Sequence, residues 1–154
     1  MLKRSVLTLF QSIVLSLFLI FSVQAQQAFE KDDLVIFSAD GSAHRFEIEL
    51  AVSPGQRARG LMYRREMTSD AGMLFIYEEP QNVMMWMKNT YISLDMLFLD
   101  GTGRIVHIEE KTTPLSTRTL SSEGQVSAVL ELNAGTVSRL QIKKGDIVHH
   151  RFLK

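Results

Sequence analysis

Apolar and polar residues alternate most clearly across residues 44–52, where Phe46, Ile48 and Leu50 fall on one face and glutamates fall on the other. A period of two is typical of a half-buried β-strand. An apolar run at residues 34–37 precedes it, and Asp40-Gly41 supplies a turn signal between the two. These features predict a β-hairpin.

Similar short apolar runs continue along the chain and predict more strands. They span residues 73–77, 83–87, 94–99, 104–109, 127–132 and 147–152. A polar loop is expected at residues 111–124. Ser53 followed by Pro54 predicts one short helix, and Asn133 is expected to cap another at residues 134–140. Many closely spaced strands with two short helices predict a mainly β fold, a compact sandwich or barrel-like single domain.

The first 25 residues have the pattern of a targeting element. Lys3 and Arg4 precede an uncharged apolar run at residues 5–23, and Val23 and Ala25 place a β-branched and a small residue at the positions that a signal peptidase reads. This order predicts a signal peptide at residues 1–25 and a periplasmic product. An uncleaved membrane anchor is the alternative, because the run is long enough to span a bilayer. Residues 26–33 are expected to form a flexible arm, followed by one domain at residues 34–154.

Composition removes several classes of function. The chain has no cysteine, which excludes disulfides, thiol catalysis and thiolate metal sites. Lys and Arg number 17, as do Asp and Glu. Loss of Lys3 and Arg4 with a signal peptide would leave a slightly acidic domain, so no nucleic-acid partner is expected. Contact with a membrane is expected only through an uncleaved N-terminal segment.

Methionines are concentrated in the middle of the chain. They are Met62, Met67, Met73, Met84, Met85, Met87 and Met96. Thioethers suit Cu(I), although methionine is also a common filler of cores, which is the interpretation favoured here. The four histidines lack the spacing of a zinc site, and neither a nucleophile elbow nor a phosphate loop is present. No metal and no cofactor are predicted.

Charged residues inside apolar strands are the strongest sign of a site. Asp95 lies within an apolar run, and its face also carries Leu97 and Leu99. A buried charge must be paired, so we expect Asp95 to be buried and bound to Lys88 or Arg59. A structural ion pair, a ligand-binding centre and an exposed position all remain open. The candidate ligand-binding residues are Arg59, Trp86, Lys88, Asn89, Thr90, Asp95, Glu131 and Asn133. No catalytic residue is assigned.

Five strings, "RARGLMYRREM", "GMLFIY", "WMKNTYISLDMLFLD", "GRIVHIEE" and "VLELNAGTVSRLQIKKGD", resemble the domain of unknown function 192 family across about residues 48–148. The resemblance implies a compact, mostly β domain, often exported, and implies no activity. The signature positions map to Arg59, Gly60, Met62, Trp86, Met87, Lys88, Asn89, Thr90, Asp95, Glu131, Asn133 and Gly135. Ser93 replaces a proline found in many members, and the cysteines that some carry near residues 111–124 are absent.

Three hypotheses follow. The leading one is an exported binding or accessory module for a small polar molecule or an envelope component such as a glycan fragment. Trp86 would supply a platform, Lys88 and Arg59 would meet an anionic or carbonyl group, and Asp95 would hold Lys88. The first alternative is a cell-envelope glycan hydrolase that uses Asp95 and Glu131 as its carboxylate pair. The second alternative is a Cu(I)-binding protein.

Overall fold

A computed structural model describes residues 28–154 of the chain. The predicted signal peptide and residues 26–27 of the predicted arm lie outside the described residues. Within residues 28–154, no helix is both long and apolar enough to cross a membrane.

The described chain forms seven strands and two short helices. They are β1 (Glu30–Phe37), β2 (Ala43–Ala51), α1 (Pro54–Arg59), β3 (Ala71–Met85), β4 (Leu94–Leu99), β5 (Ile105–Glu109), β6 (Leu120–Asn133), α2 (Thr136–Leu140) and β7 (Ile147–His149). The strands make one curled sheet, a half-barrel, in the order β5-β4-β6-β3-β2-β1-β7. β2 and β3 pair in parallel, and the other neighbours are antiparallel. The predicted mainly β fold is confirmed.

Curling brings the two edge strands together. Arg104, just before β5, bridges Ile147 of β7, and the backbone N–H of Val148 donates to the carbonyl of Gly103 at 2.7 Å. Gly103 has a φ of 79°, and a Cβ at this position would lie 2.1 Å from the Val148 carbonyl oxygen. A residue without a side chain is therefore required where the edges meet.

Each face of the sheet carries its own hydrophobic core. The first core contains Leu34, Ile36, Phe46, Ile48, Leu50, Leu74, Leu97, Leu99, Leu130, Leu132 and Val137 of α2, among others. The second core contains Leu61, Met73, Phe75, Val83, Met87, Leu94, Met96, Phe98 and Val129, among others. All six residues of β4 are buried because this strand is covered on both faces. Successive side chains on a strand point to opposite faces, so neighbours in β4 enter different cores.

The prediction of a flexible arm was wrong for residues 30–33, which belong to β1 and pair with β2. Lys31 and Asp33 lie on the solvent side, where they contact Glu47 and Arg45, each at 2.6 Å. Asp32 points the other way, is half-buried and contacts the buried His150 at 3.2 Å. The strand forms because its backbone completes a ladder with β2. Because residues 30–33 are all charged, the hydrophobicity pattern gives no signal for this pairing.

The two helices were predicted with different success. α1 is confirmed, with a capping box in which the Ser53 hydroxyl accepts from Gln56 N–H at 3.2 Å and the Gln56 side chain accepts from Ser53 N–H at 3.0 Å. The predicted cap of α2 was wrong. Gly135 occupies the N-cap position, and Asn133 ends β6, where its amide donates to the carbonyls of Met67 and Thr68 at 2.9 Å.

β3 and β6 are longer than expected. The strands predicted at residues 83–87 and 73–77 are parts of one strand, β3, whose pairing with β6 shifts register after Ile76. β6 begins at Leu120, inside the segment predicted to be a loop. The hydrophobicity pattern does not predict this early start, because the segment is polar. One of its residues, Ser122, pairs with β3 through its hydroxyl, which accepts from the N–H of Val83 at 3.0 Å.

Candidate functional site

A cavity of about 230 Å³ opens on the side of the sheet that carries the second core. It lies where α1, β3, β6 and residues 86–90 meet. Its lining consists of Arg57, Ala58, Arg59, Gly60, Leu61, Met62, Phe75, Tyr77, Met84, Met85, Trp86, Lys88, Thr90 and Glu131. The cavity therefore combines aromatic, thioether and charged groups in a space suited to a small ligand.

Glu131 is the acidic residue of this cavity. It lies opposite Met96 of β4 and Met73 of β3, so its side chain shares their face of the sheet. Its exposed fraction is 4%, and burial raises the pKa of its carboxyl group to about 8. Within residues 28–154, no residue forms a hydrogen bond or an ion pair with this carboxyl group. Glu131 thus turns a carboxyl group without a protein partner in this part of the chain toward the cavity.

Two cations are positioned over aromatic rings of the lining. The Arg57 guanidinium donates to the carbonyls of Val52 and Ile76, the latter at 2.9 Å, and lies 5.1 Å from the centre of the Tyr77 ring. The Lys88 ammonium lies 5.5 Å from the Trp86 ring, whose residue is 52% exposed. Arg57 is fixed by these contacts, whereas Lys88 and Trp86 form a cation–π pair on the exposed side.

Tyr77 connects the cation and the acid. Burial raises the pKa of its phenol to about 12, the charge of Arg57 acts to lower it, and Glu131 acts to raise it. The phenol hydroxyl also donates to the Met85 sulfur at 3.8 Å. Tyr77 is therefore a neutral hydrogen-bonding group at physiological pH, close enough to Glu131 for a charge on that carboxyl group to raise the pKa of the phenol.

Two neighbouring loops hold the segment at residues 86–90. Tyr63 N–H donates to the Asn89 carbonyl at 2.8 Å, and Leu115 N–H donates to the Thr90 carbonyl at 3.0 Å. Tyr63, Asn89 and Leu115 have φ values of 67°, 58° and 62°. Such left-handed backbone costs energy in residues other than glycine and is frequent at functional sites. The strained residues lie in the segment at residues 86–90 or in the loops that hold it.

Comparison with known proteins gives the family. Residues 35–150 match the model of DUF192, which is described as Uncharacterized ACR. The chain belongs to the DUF192 family. A Sinorhizobium meliloti 1021 structure described as a candidate transcription regulator is 48% identical, with a TM-score of 0.78, over 79% of this chain and 95% of that one. A Novosphingobium aromaticivorans DSM 12444 protein of unknown function is 33% identical, with a TM-score of 0.78, over 84% of this chain and 91% of that one. No curated protein matches.

In this DUF192 domain, five of the eight predicted site residues lie together around the cavity. They are Arg59, Trp86, Lys88, Thr90 and Glu131. Asn89 lies beside the cavity and supports its mouth, since its amide donates to the Tyr63 hydroxyl at 3.1 Å. Asn133 instead anchors the loop at residues 67–68.

Asp95 is buried as predicted, yet it lies away from the cavity. Its carboxylate accepts from the backbone N–H groups of Lys111 and Val137, both at 2.9 Å. The predicted pairing with Lys88 or Arg59 was wrong, because Asp95 lies opposite Leu132 and therefore faces the first core. The side chain fixes the turn at Lys111 and caps α2, which is a structural role.

The carboxylate pair required by the hydrolase hypothesis does not exist in this geometry. Met96, the neighbour of Asp95 in β4, lies directly opposite Glu131. Neighbouring residues of a strand point to opposite faces, so Asp95 and Glu131 are separated by the sheet. Two carboxyl groups must flank one glycosidic bond across a shared cleft, and these two do not. The prediction of an Asp95–Glu131 catalytic pair was therefore wrong.

The methionines at residues 84–87 do not form one sulfur site. Met87 is buried in the second core, where its sulfur accepts from the Thr112 hydroxyl at 3.2 Å. Met85 contacts Tyr77, whereas Met84 is 74% exposed. Within residues 28–154, no group of three His, Asp or Glu residues is arranged to hold a metal ion. This geometry argues against a Cu(I) site formed by Met84, Met85 and Met87.

Sequence reasoning missed several residues of the cavity, chiefly Arg57, Met62, Phe75 and Tyr77. A signal for two of them was present. Phe75 and Tyr77 alternate with Met73 on one face of β3, and Tyr77 adds a hydroxyl to that apolar face. Arg57 carried no comparable signal, because its contacts with Val52 and Ile76 depend on how α1 docks on the sheet.

Proposed function

We propose that this protein is an exported, periplasmic binding or accessory module that holds a small polar molecule or envelope component in the cavity beside Glu131. The observation that carries the proposal is the buried carboxyl group of Glu131 without a protein partner in the described chain. Burying a polar group without a hydrogen bond costs stability, and such exceptions in native proteins need a reason. A ligand that supplies the missing hydrogen bond is the reason inferred here.

The surroundings of Glu131 give each predicted residue a role. Trp86 offers an exposed aromatic face on which a sugar ring or a flat apolar body can pack. Lys88, above that face, and Arg59, at the end of α1, lie in position to meet anionic or carbonyl groups of the ligand. Thr90 is 5% exposed and offers its hydroxyl from the wall. These roles describe binding and include no chemical step.

Export rests on the N-terminal sequence. Cleavage after Ala25 is supported by the basic pair Lys3-Arg4, by the apolar run at residues 5–23 and by Val23 and Ala25 at the positions that a signal peptidase reads. Intact-mass measurement of protein from a periplasmic extract tests this directly. A chain that begins at Gln26 supports the proposal. A full-length chain that stays with the membrane fraction would show that the segment is an anchor instead.

Native mass spectrometry of protein purified from the periplasm, without chelators or harsh washing, tests binding. An added organic mass is expected on the wild-type protein. Lys88→Ala is expected to lose it, whereas Lys144→Ala, a matched change of an exposed lysine that does not line the cavity, retains it. If Lys88→Ala and Glu131→Ala both fold normally and alter neither the retained mass nor any cellular phenotype, this function is wrong.

A further inference from the structure

The charged groups around the cavity are unequal in number. Within residues 28–154, the lining has three cations, Arg57, Arg59 and Lys88, and one acid, Glu131. Arg59 is engaged in an interaction of its own, so the balance is counted from Arg57, Lys88 and Glu131. Arginine remains charged at any physiological pH, and its planar guanidinium suits carboxylates. The cavity therefore has an excess of positive charge even when Glu131 is counted as ionised.

The state of Glu131 increases that excess. Burial raises the pKa of its carboxyl group to about 8, so near pH 7 most molecules carry the neutral acid. Tyr77 is neutral at this pH as well, with a pKa of about 12. The titratable groups facing the cavity are then three cations, a phenol and a carboxylic acid able to donate a hydrogen bond.

The remaining lining is mixed. Met62 and Met85 are half-buried and, with the exposed face of Trp86, form its apolar part, whereas Phe75 and Leu61 are each 2% exposed and offer a ligand little surface. A ligand with a small anionic head and an apolar body complements both the cations and this apolar part. A cationic ligand would face the like charges of Arg57 and Lys88.

We infer that the ligand is a small organic carboxylate with an apolar body, whose carboxylate lies near Lys88 and accepts a hydrogen bond from the Glu131 carboxyl group. This inference rests on the proposed binding function and specifies its ligand class. The apolar body packs against Met85 and Trp86. Binding couples to protonation, because the anion prefers the neutral form of the acid beside it.

Trp86 is the only tryptophan of the chain and lies in the lining, so the fluorescence of the protein reports on binding in the cavity. Its fluorescence is titrated with benzoate, benzamide and benzylamine, which share size and shape and differ in charge. Benzoate is expected to bind at least about ten-fold more tightly than either analogue at pH 7. Lys88→Ala weakens benzoate binding, whereas Lys144→Ala leaves it unchanged.

The pH dependence separates this mechanism from simple attraction of an anion. With a Glu131 pKa of about 8, benzoate affinity is expected to fall about ten-fold between pH 7 and pH 9, as the acid ionises. Glu131→Gln keeps a neutral hydrogen-bond donor at this position. Its benzoate affinity is expected to be the same at both pH values.

Several results would overturn the inference. They are tighter binding of benzylamine, equal binding of benzamide, an affinity that rises with pH, or no fluorescence response to any probe. The mass retained in native spectra gives an independent result. A neutral or cationic compound lost in Lys88→Ala would refute the carboxylate class and leave the binding function standing. Absence of both a retained mass and a probe response would refute both proposals.

Discussion

Asp95 provides the most direct test of how the fold is held together. Its carboxylate is fully buried and accepts from the backbone N–H groups of Lys111 and Val137, both at 2.9 Å. One bond fixes a residue with a φ of 51°, and the other caps α2. Asp95→Ala removes both acceptors at once. The buried N–H of Val137 is then left without a partner, and the N–H of Lys111 loses its acceptor in a part-buried position.

The magnitude follows from the two lost bonds. A hydrogen bond to a charged acceptor contributes about 1.5–3 kcal/mol, so Asp95→Ala is expected to lower the free energy of unfolding by about 4 kcal/mol. That is a large part of the stability of a domain of this size. Asp95→Asn keeps the shape and one acceptor oxygen, and is expected to lose about 2 kcal/mol. Urea unfolding monitored by circular dichroism measures both variants.

Asp40 is the matched control. It also accepts two hydrogen bonds, from the N–H and the hydroxyl of Ser42 at 2.9 and 2.7 Å, but it lies in an exposed turn. Water can replace the lost acceptor there, so Asp40→Ala is expected to shift the urea midpoint far less than Asp95→Ala. Equal shifts for the two variants would refute the claim that burial of the acceptor determines the loss.

Three further changes test other parts of the structure. Between pH 5 and pH 8 the folded state keeps a proton on Glu131 that the unfolded state releases, so wild-type stability falls by up to about 4 kcal/mol relative to Glu131→Gln in urea titrations. Gly103→Ala places a Cβ 2.1 Å from the Val148 carbonyl oxygen, and a melting point close to that of wild type would contradict this contact. Ser53→Ala removes the α1 cap and should cost about 1 kcal/mol, whereas Ser53→Asp restores it.

Strands whose burial follows local alternation could be predicted from sequence. Phe46, Ile48 and Leu50 of β2 enter the first core as the pattern required. The start of β6 could not be predicted, since its polar residues become a strand only by pairing with β3. Ser122, for example, bonds to Val83, 39 residues earlier in the chain. Propensity gives no information about a partner so distant in sequence.

The candidate site shows the same division between local and long-range information. The sequence places Asp95 and Glu131 each within an apolar strand, and it predicted burial for Asp95. Which of the two cores each enters depends on the register of β4 against β6, where Met96 is paired with Glu131. Shifting that register by one residue would put the two carboxyl groups on the same face. The sequence pattern therefore left the hydrolase hypothesis open, and the pairing decided against it.

The contrast between these two carboxyl groups is the strongest argument that the cavity has a function. Asp95 is buried with a backbone donor for each oxygen, and so it serves the fold. Glu131 is buried to a similar degree without a partner in the described chain, which raises its pKa and lowers stability at neutral pH. A leucine or methionine there would continue the second core at no such cost. A buried acid that lowers the stability of the fold is more typical of a ligand site than of packing. This holds especially where the acid lies next to an open cavity with three cations.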